Sequence, residues 1–266
     1  MERIMEMDEI QKLTTKYILA AIFLLGFGLV ISSAQTIKTQ RIWMDTLEYS
    51  QKASESIVNL IGTYSPQMHE KMNKVVGYTT QAMYSYAPES PLSNMAADAL
   101  LAISRRHYGL DKVDFALTNF GGIRTFFPKG ELTLYYVYAA FPFENSLVLV
   151  SLPGKHVIEL FDNMASNRVE ALSGVKLVIE EGKVTTLFIN GQPVDEKKTY
   201  NIATIDFLLG GGDRMTVLSK NIGTDYSGIT LRDVMLQYIT AFYEKGEPIP
   251  AKTDKRVVVI QKDDAS

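Results

Sequence analysis

Two glycine-bearing turns carry the side chains in this chain best suited to chemistry. The first is Asn119-Phe120-Gly121-Gly122-Ile123-Arg124, which follows the apolar run Val113 to Thr118. Glycines let a backbone turn sharply and let a ligand come close to it. Asn119 would present an amide, and Arg124 a fork of donors for phosphate or hydroxyl oxygens. Spacing alone equally allows a simple turn with a surface arginine. The second turn is Gly210-Gly211-Gly212-Asp213, just after Phe207. Asp213 there is either a turn residue or a bidentate acceptor for two vicinal hydroxyls. Between the two lies Phe141-Pro142-Phe143-Glu144-Asn145, ahead of a strand. Phe143 and Phe207, each taken singly, read as core residues.

The common catalytic signatures are missing. The glycine cluster before Asp213 lacks the lysine and hydroxyl residue of a P-loop, and its spacing is not the dinucleotide fingerprint. There is no G-x-S-x-G elbow and no H-E-x-x-H. Zero cysteines exclude disulfides, thiolate catalysis and cysteine-bound zinc. The three histidines, His69, His107 and His156, are too few for a two-metal centre built mainly from imidazoles. A formal net charge of −3 leaves no electrostatic footprint for nucleic acid.

The elements that must position these turns are legible along the chain. With 266 residues, 46% of them hydrophobic, a substantial core can form. Ile18 to Ile31 is an unbroken run of apolar residues and glycine, preceded by Lys12 and Lys16 and followed by Ser32-Ser33-Ala34. At about 14 residues it falls short of a bilayer span and matches a secretory segment cleaved near Ala34. An uncleaved anchor or a buried helix are the alternatives. The expected organisation is an export segment over 1–34, a helical lead-in over 35–72, the main domain over 73–260 and a polar tail over 261–266.

Within the main domain, Val75 to Tyr78 begins a strand. Ser90 and Pro91 open a helix that Gly109 stops. Ser146 to Leu152 reads as a buried strand and Lys155 to Met164 as a helix. Val175 to Ile179 and Val184 to Ile189 form a hairpin across Glu181-Gly182, and Asn190-Gly191 marks a further turn. Tyr200 to Ile205 is a strand, Thr230 and Asp233 cap a closing helix, and Arg256 to Gln261 is a last strand. Intermixed helices and strands with an antiparallel hairpin predict one compact α+β domain, a mixed β-sheet flanked by helices.

Taken together and in order, four segments resemble one family. Glu89-Ser90-Pro91-Leu92-Ser93-Asn94 through Asp98-Ala99 resembles E-[ST]-N-x-G-N-x-x-x-D-A. Asn119 to Arg124 resembles N-x-G-G-I-R, and Ala140 to Asn145 the x-x-P-F-x-N that follows. Phe207 to Asp213 resembles F-L-x-x-G-G-D. The family is the C-terminal, substrate-binding domain of 5′-nucleotidases and UDP-sugar hydrolases, and the resemblance covers about Asn73 to Val259. It implies that a base stacks between Phe143 and Phe207, that Asp213 holds the ribose hydroxyls, and that Asn119 and Arg124 contact the nucleotide. Gly121, Gly122, Asn145, Gly211 and Gly212 complete the implied substrate-binding set. Base stacking tolerates any base and is worth about 1–3 kcal/mol per base.

Two departures stand out. The family places an arginine for phosphate shortly before the first signature, where Met83 to Pro88 has no basic residue. Pro91 and Ser93 also replace the usual asparagine and glycine. The family's catalytic half, a metallophosphoesterase domain with D-x-H and G-N-H-[DE] motifs, has no counterpart in these residues. The resemblance therefore implies a nucleotide or nucleoside ligand with no catalytic residue, metal ligand or cofactor on this chain. Divalent metals are expected only on a separately encoded metallophosphoesterase partner, within a nucleotide-catabolic system of a bacterial cell envelope or periplasm. Nucleic acid is not an expected partner, and membrane only if the N-terminal segment stays uncleaved. A stand-alone binding module and a degenerate structural domain are the alternatives.

Overall fold

The computed structural model describes residues 54–261, together with Thr15 and Lys16, so the export segment and the lead-in reading over 35–53 lie outside the described residues. Contacts divide the chain after Val58, and the unit that follows carries every described sheet.

The centre is set by β2 (Phe115–Thr118), whose four residues are all buried. Successive side chains of a strand point to opposite faces, so a strand buried throughout must be covered on both. It lies fourth in a five-stranded sheet of order β10-β4-β9-β2-β5, with β4 (Ser146–Pro153), β5 (Ala171–Ser173), β9 (Thr199–Ile205) and β10 (Gly223–Thr230). The sheet is mixed: β2 runs parallel to β9, while β4 is antiparallel to β9 and β5 antiparallel to β2. Helices α2 (Pro91–Tyr108) and α4 (Gly154–Ser166) pack on it, Phe161 of α4 meeting Phe115 at 5.8 Å between ring centroids.

The expected local devices are present. Ser90 and Ser93 form a reciprocal capping box at the start of α2, with Pro91 at its first position, and Gly109 ends it at φ 114°. Thr230 and Asp233 form a second capping box on α6 (Leu231–Tyr243). Glu181-Gly182 joins β6 (Val175–Glu180) to β7 (Lys183–Ile189) with φ of 49° and 76°, and Asn190-Gly191 leads to β8 (Gln192–Pro193) with 50° and 75°. Paired left-handed residues match the twist of a hairpin.

The strands fall into three sheets. β6, β7 and β8 join β11 (Val257–Ile260), which lies parallel to β6, and β1 (Val75–Thr79) pairs with β3 (Gly130–Thr133). Among the described strands and α-helices, six had no expectation in the sequence: β3, β5, β8, β10, α3 (Leu134–Ala140) and α5 (Asp206–Leu209). β5 has three residues and β10 is a largely exposed edge strand, so neither presents an apolar period. The lead-in helix α1 (Glu55–Met72) keeps its apolar residues Leu60, Ile61, Tyr64 and Met68 exposed. α5 (Asp206–Leu209) is a single turn leading into the glycine cluster.

The acidic residues of the first signature are fasteners. The Asp98 carboxylate accepts from the Ser173 hydroxyl at 2.6 Å and from both terminal nitrogens of Arg256, tying α2 to β5 and to the segment before β11. The Glu89 carboxylate accepts from the Lys255 backbone N–H at 2.8 Å and from the Asn94 amide at 3.1 Å.

Candidate functional site

The mixed sheet decides which loops meet. Thr118 pairs with Ala171 and Leu147 with Ile205, so the ends of β2 and β9 and the beginnings of β4 and β5 share one sheet edge. Four connections converge there: 119–124, 143–145, 167–170 and 206–214.

Every candidate residue from the sequence except Gly211 and Gly212 lines one cleft of about 270 Å³ at this edge. Phe143 and Phe207 are 48% and 46% exposed, whereas Phe115, Phe127, Phe141 and Phe161 are fully buried. Reading either cleft ring singly as core is thereby corrected. Their half-exposed faces are available to a planar ligand. The Arg124 guanidinium carbon lies 6.0 Å from the Phe143 ring centroid, while one terminal nitrogen donates to the Gly121 carbonyl at 3.3 Å. That places a cation beside one stacking face. Asn145 stands at the start of β4, and its carbonyl accepts from Leu231 N–H at 2.8 Å, which joins the cleft to α6.

The glycines act by what they leave out. A Cβ on Gly122 would lie 2.6 Å from Asn119 Oδ1, and one on Gly212 only 2.4 Å from the Phe207 ring. Gly211 is left-handed at φ 89°. Gly211 and Gly212 therefore shape the turn and back the Phe207 ring without lining the cleft.

Asp213 and Arg214 are both left-handed, at φ 49° and 64°. Each such non-glycine residue costs about 1–2 kcal/mol, so surrounding contacts must enforce the turn. Asn119 Nδ2 donates to Asp213 Oδ2 at 2.6 Å, and Arg214 Nη1 donates to Asn167 Oδ1 at 2.7 Å. Asn119 is 4% exposed, and its Oδ1 is buried without a hydrogen-bond partner in the protein. A buried acceptor left unpaired is costly.

The loop 167–170 was not singled out from the sequence. Glu170, 1% exposed, accepts from the Phe120 backbone N–H at 2.7 Å, and from Arg168 Nε at 3.0 Å and Nη2 at 2.6 Å. Burial pushes its carboxyl above the ordinary value despite the opposing effect of the Phe120 N–H and Arg168, and the nearby Asp213 charge adds to the rise. Asn167, Arg168, Glu170, Asp213 and Arg214 line a polar chamber of about 320 Å³ that shares Asp213 with the aromatic cleft. The sequence clue was an acid between Val169 and Ala171 on the way into a buried strand.

Among the described residues, no group of three or more histidine, aspartate or glutamate side chains is placed to hold a metal ion. His156 pairs with Glu159 on α4 at 2.9 Å, and His107 packs edge-on against Tyr108.

A family model described as 5′-nucleotidase, C-terminal domain, matches residues 75–220. Among curated proteins, the protein UshA of Salmonella pullorum is 33% identical over 147 residues, covering 50% of this chain and 27% of its own length. A 5′-nucleotidase of Vibrio vulnificus is 25% identical over 217 residues, covering 80% of this chain and 38% of its own. Among solved structures, a 5′-nucleotidase precursor from Thermus thermophilus aligns with a TM-score of 0.66 at 25% identity, over 77% of this chain and 43% of that one. The chain thus spans under half the length of these relatives.

Proposed function

This chain belongs to the family of 5′-nucleotidase C-terminal domains, and on that premise we propose that it is the nucleotide-holding part of a 5′-nucleotidase-type phosphohydrolase. Phe143 and Phe207 hold the base, Asp213 and Asn119 the ribose, and Arg124 faces the phosphate side. The dimetal hydrolytic centre is supplied by protein outside these 266 residues, and the system works in nucleotide catabolism in the periplasm or cell envelope. The observation that carries the reading is the pair of half-exposed phenylalanine rings set beside the Asn119–Asp213 pair at one sheet edge. Rings held half-exposed beside an oriented carboxylate fit a ligand with a flat face and vicinal hydroxyls better than they fit a core. The motif matches and the family membership point the same way. The apolar run ending before Ala34 supports export.

A second reading, a binding module without hydrolysis, takes its support from Met83 to Pro88. No basic residue stands there, and Tyr84 and Tyr86 are exposed. This favours a nucleoside over a nucleotide.

Calorimetric titration of the chain with adenosine, AMP and UDP-glucose tests both. Two stacking faces and ribose hydrogen bonds, set against the cost of immobilising a ligand, predict a dissociation constant of about 10 μM to 1 mM. Phe143→Ala should abolish the heat while the variant still melts cooperatively. No heat from the wild-type chain at millimolar ligand would overturn the reading of the cleft. Phosphate release from AMP only on mixing with a metallophosphoesterase would favour the first reading over the second.

A further inference from the structure

The loop 167–170 touches both turns that form the cleft, although none of its residues lines it. Glu170 fixes the backbone of the first turn through the Phe120 N–H at 2.7 Å, one residue after Asn119. Asn167 fixes the second through Arg214 at 2.7 Å, one residue after Asp213. The Asn119 amide then joins the two turns by donating to Asp213 at 2.6 Å. Arg168 closes the set by holding the second oxygen of the Glu170 carboxylate.

We propose that Glu170 is a positioning residue for ribose recognition. It aims Asp213 through Phe120 and Asn119, as part of a clamp formed by Asn167, Arg168 and Glu170. This deepens the nucleotide-holding reading above and rests on it. Three points carry the assignment. The carboxylate is almost wholly buried in the wall beside the cleft, a cost offset only by its pairing with Arg168 and the Phe120 N–H. Its partners are the glycine turn and Arg168, with neither acceptor oxygen left over. Asp213 and Arg214 occupy consecutive left-handed conformations that need enforcing from outside, and the clamp reaches them from both sides. A carboxylate that must accept from two hydroxyls has to be held closely in place, and a site with a loose supporting shell loses that discrimination.

The stacking rings depend on Glu170 less than Asp213 does, because Phe143 comes from a connection the clamp does not touch and Phe207 sits on the helical turn α5 at the opposite end of 206–214 from Arg214. The test therefore separates ribose from base. The full chain and its Glu170→Ala and Glu170→Gln variants are titrated with adenosine and with 2′,3′-dideoxyadenosine, which keeps the base and lacks the hydroxyls. Wild type is expected to prefer adenosine by about tenfold or more, since hydrogen bonds to a charged acceptor are the stronger kind. In Glu170→Ala the preference should shrink to within about twofold of unity, while dideoxyadenosine affinity changes by less than about threefold. Glu170→Gln, which keeps an acceptor for the Phe120 N–H but loses the pair with Arg168, should fall between. An unchanged preference in a cooperatively melting variant, or equal weakening of both nucleosides, would overturn the proposal. If the alanine variant does not fold, the isosteric glutamine variant decides by the same ratio: a wild-type preference overturns and a reduced one supports. Wild type that binds neither nucleoside would instead remove the nucleotide-holding reading itself, an outcome distinct from a ratio indifferent to Glu170.

Discussion

Phe207 lies with its ring against Gly212, so close that a single methyl group there would sit 2.4 Å from a ring carbon. The ring is the softer party, being 46% exposed and free to swing outward. Gly212→Ala is therefore expected to weaken adenosine binding about tenfold, as one stacking face worth roughly 1–3 kcal/mol is displaced. Stability should change little. Calorimetry beside a thermal melt checks both, and a variant that binds normally would show that Phe207 does not stack on the ligand. Gly122 follows the same logic with a harder neighbour, since the side chain it would meet is the buried Asn119. At this scale most of the residues lining the candidate cleft were legible in the sequence. Glycines before Asp213 and after Asn119 announce turns, and the side chains flanking them announce their chemistry. The exposure of Phe143 and Phe207 was not legible, because a phenylalanine beside a strand reads the same whether its ring faces core or solvent. Phe141, two residues from Phe143 and fully buried, shows how little sequence separates the two fates.

The first signature belongs to the elements, not the ligand. Asp98 projects from α2 to Ser173 and Arg256, and Glu89, just before that helix, reaches Lys255. Arg256 is 10% exposed in its side chain, and Asp254 is a second partner at 2.8 Å, whose carboxyl Arg256 holds below its ordinary value. Removing Asp98 takes away one of the two carboxylates on this guanidinium and leaves the Ser173 hydroxyl without its acceptor. Asp98→Ala should thus cost about 1.5–3 kcal/mol of stability in denaturant unfolding, with adenosine affinity in the folded variant within about twofold of wild type. A loss of affinity without a loss of stability would assign Asp98 to the ligand instead. The departures Pro91 and Ser93 fit the same structural role: Pro91 takes the first helical position, and Ser93 completes the capping box with Ser90. Element positions were read well where a cap, a turn or a branched apolar run marks them. The misses, β3, β5, β8, β10, α3 and α5, are short or edge elements whose conformation depends on the segments they pack against.

For the whole molecule, a ligand that binds only the folded state must raise its melting temperature. Nucleoside at about 100 times its dissociation constant adds about 2.7 kcal/mol, which for a domain of this size shifts the midpoint upward by about 5–10 °C. Differential scanning fluorimetry with and without adenosine reads this shift, and Phe143→Ala should lose it without a lower starting midpoint. The sequence by itself determined the helices with their caps, the hairpin turns, the main strands, the glycine turns with Asn119 and Asp213, and the family resemblance. Each is written in residues within a few positions of one another, where backbone sterics and local hydrogen bonds decide. Only the tertiary structure decided that the strands divide among three sheets, that both cleft rings stay half-exposed, and that the loop 167–170 joins the site. That loop arrives because β5 lies antiparallel beside β2, pairing Ala171 with Thr118 and setting Glu170 against Phe120. Such a register is fixed by packing between segments about fifty residues apart, and no local pattern encodes it.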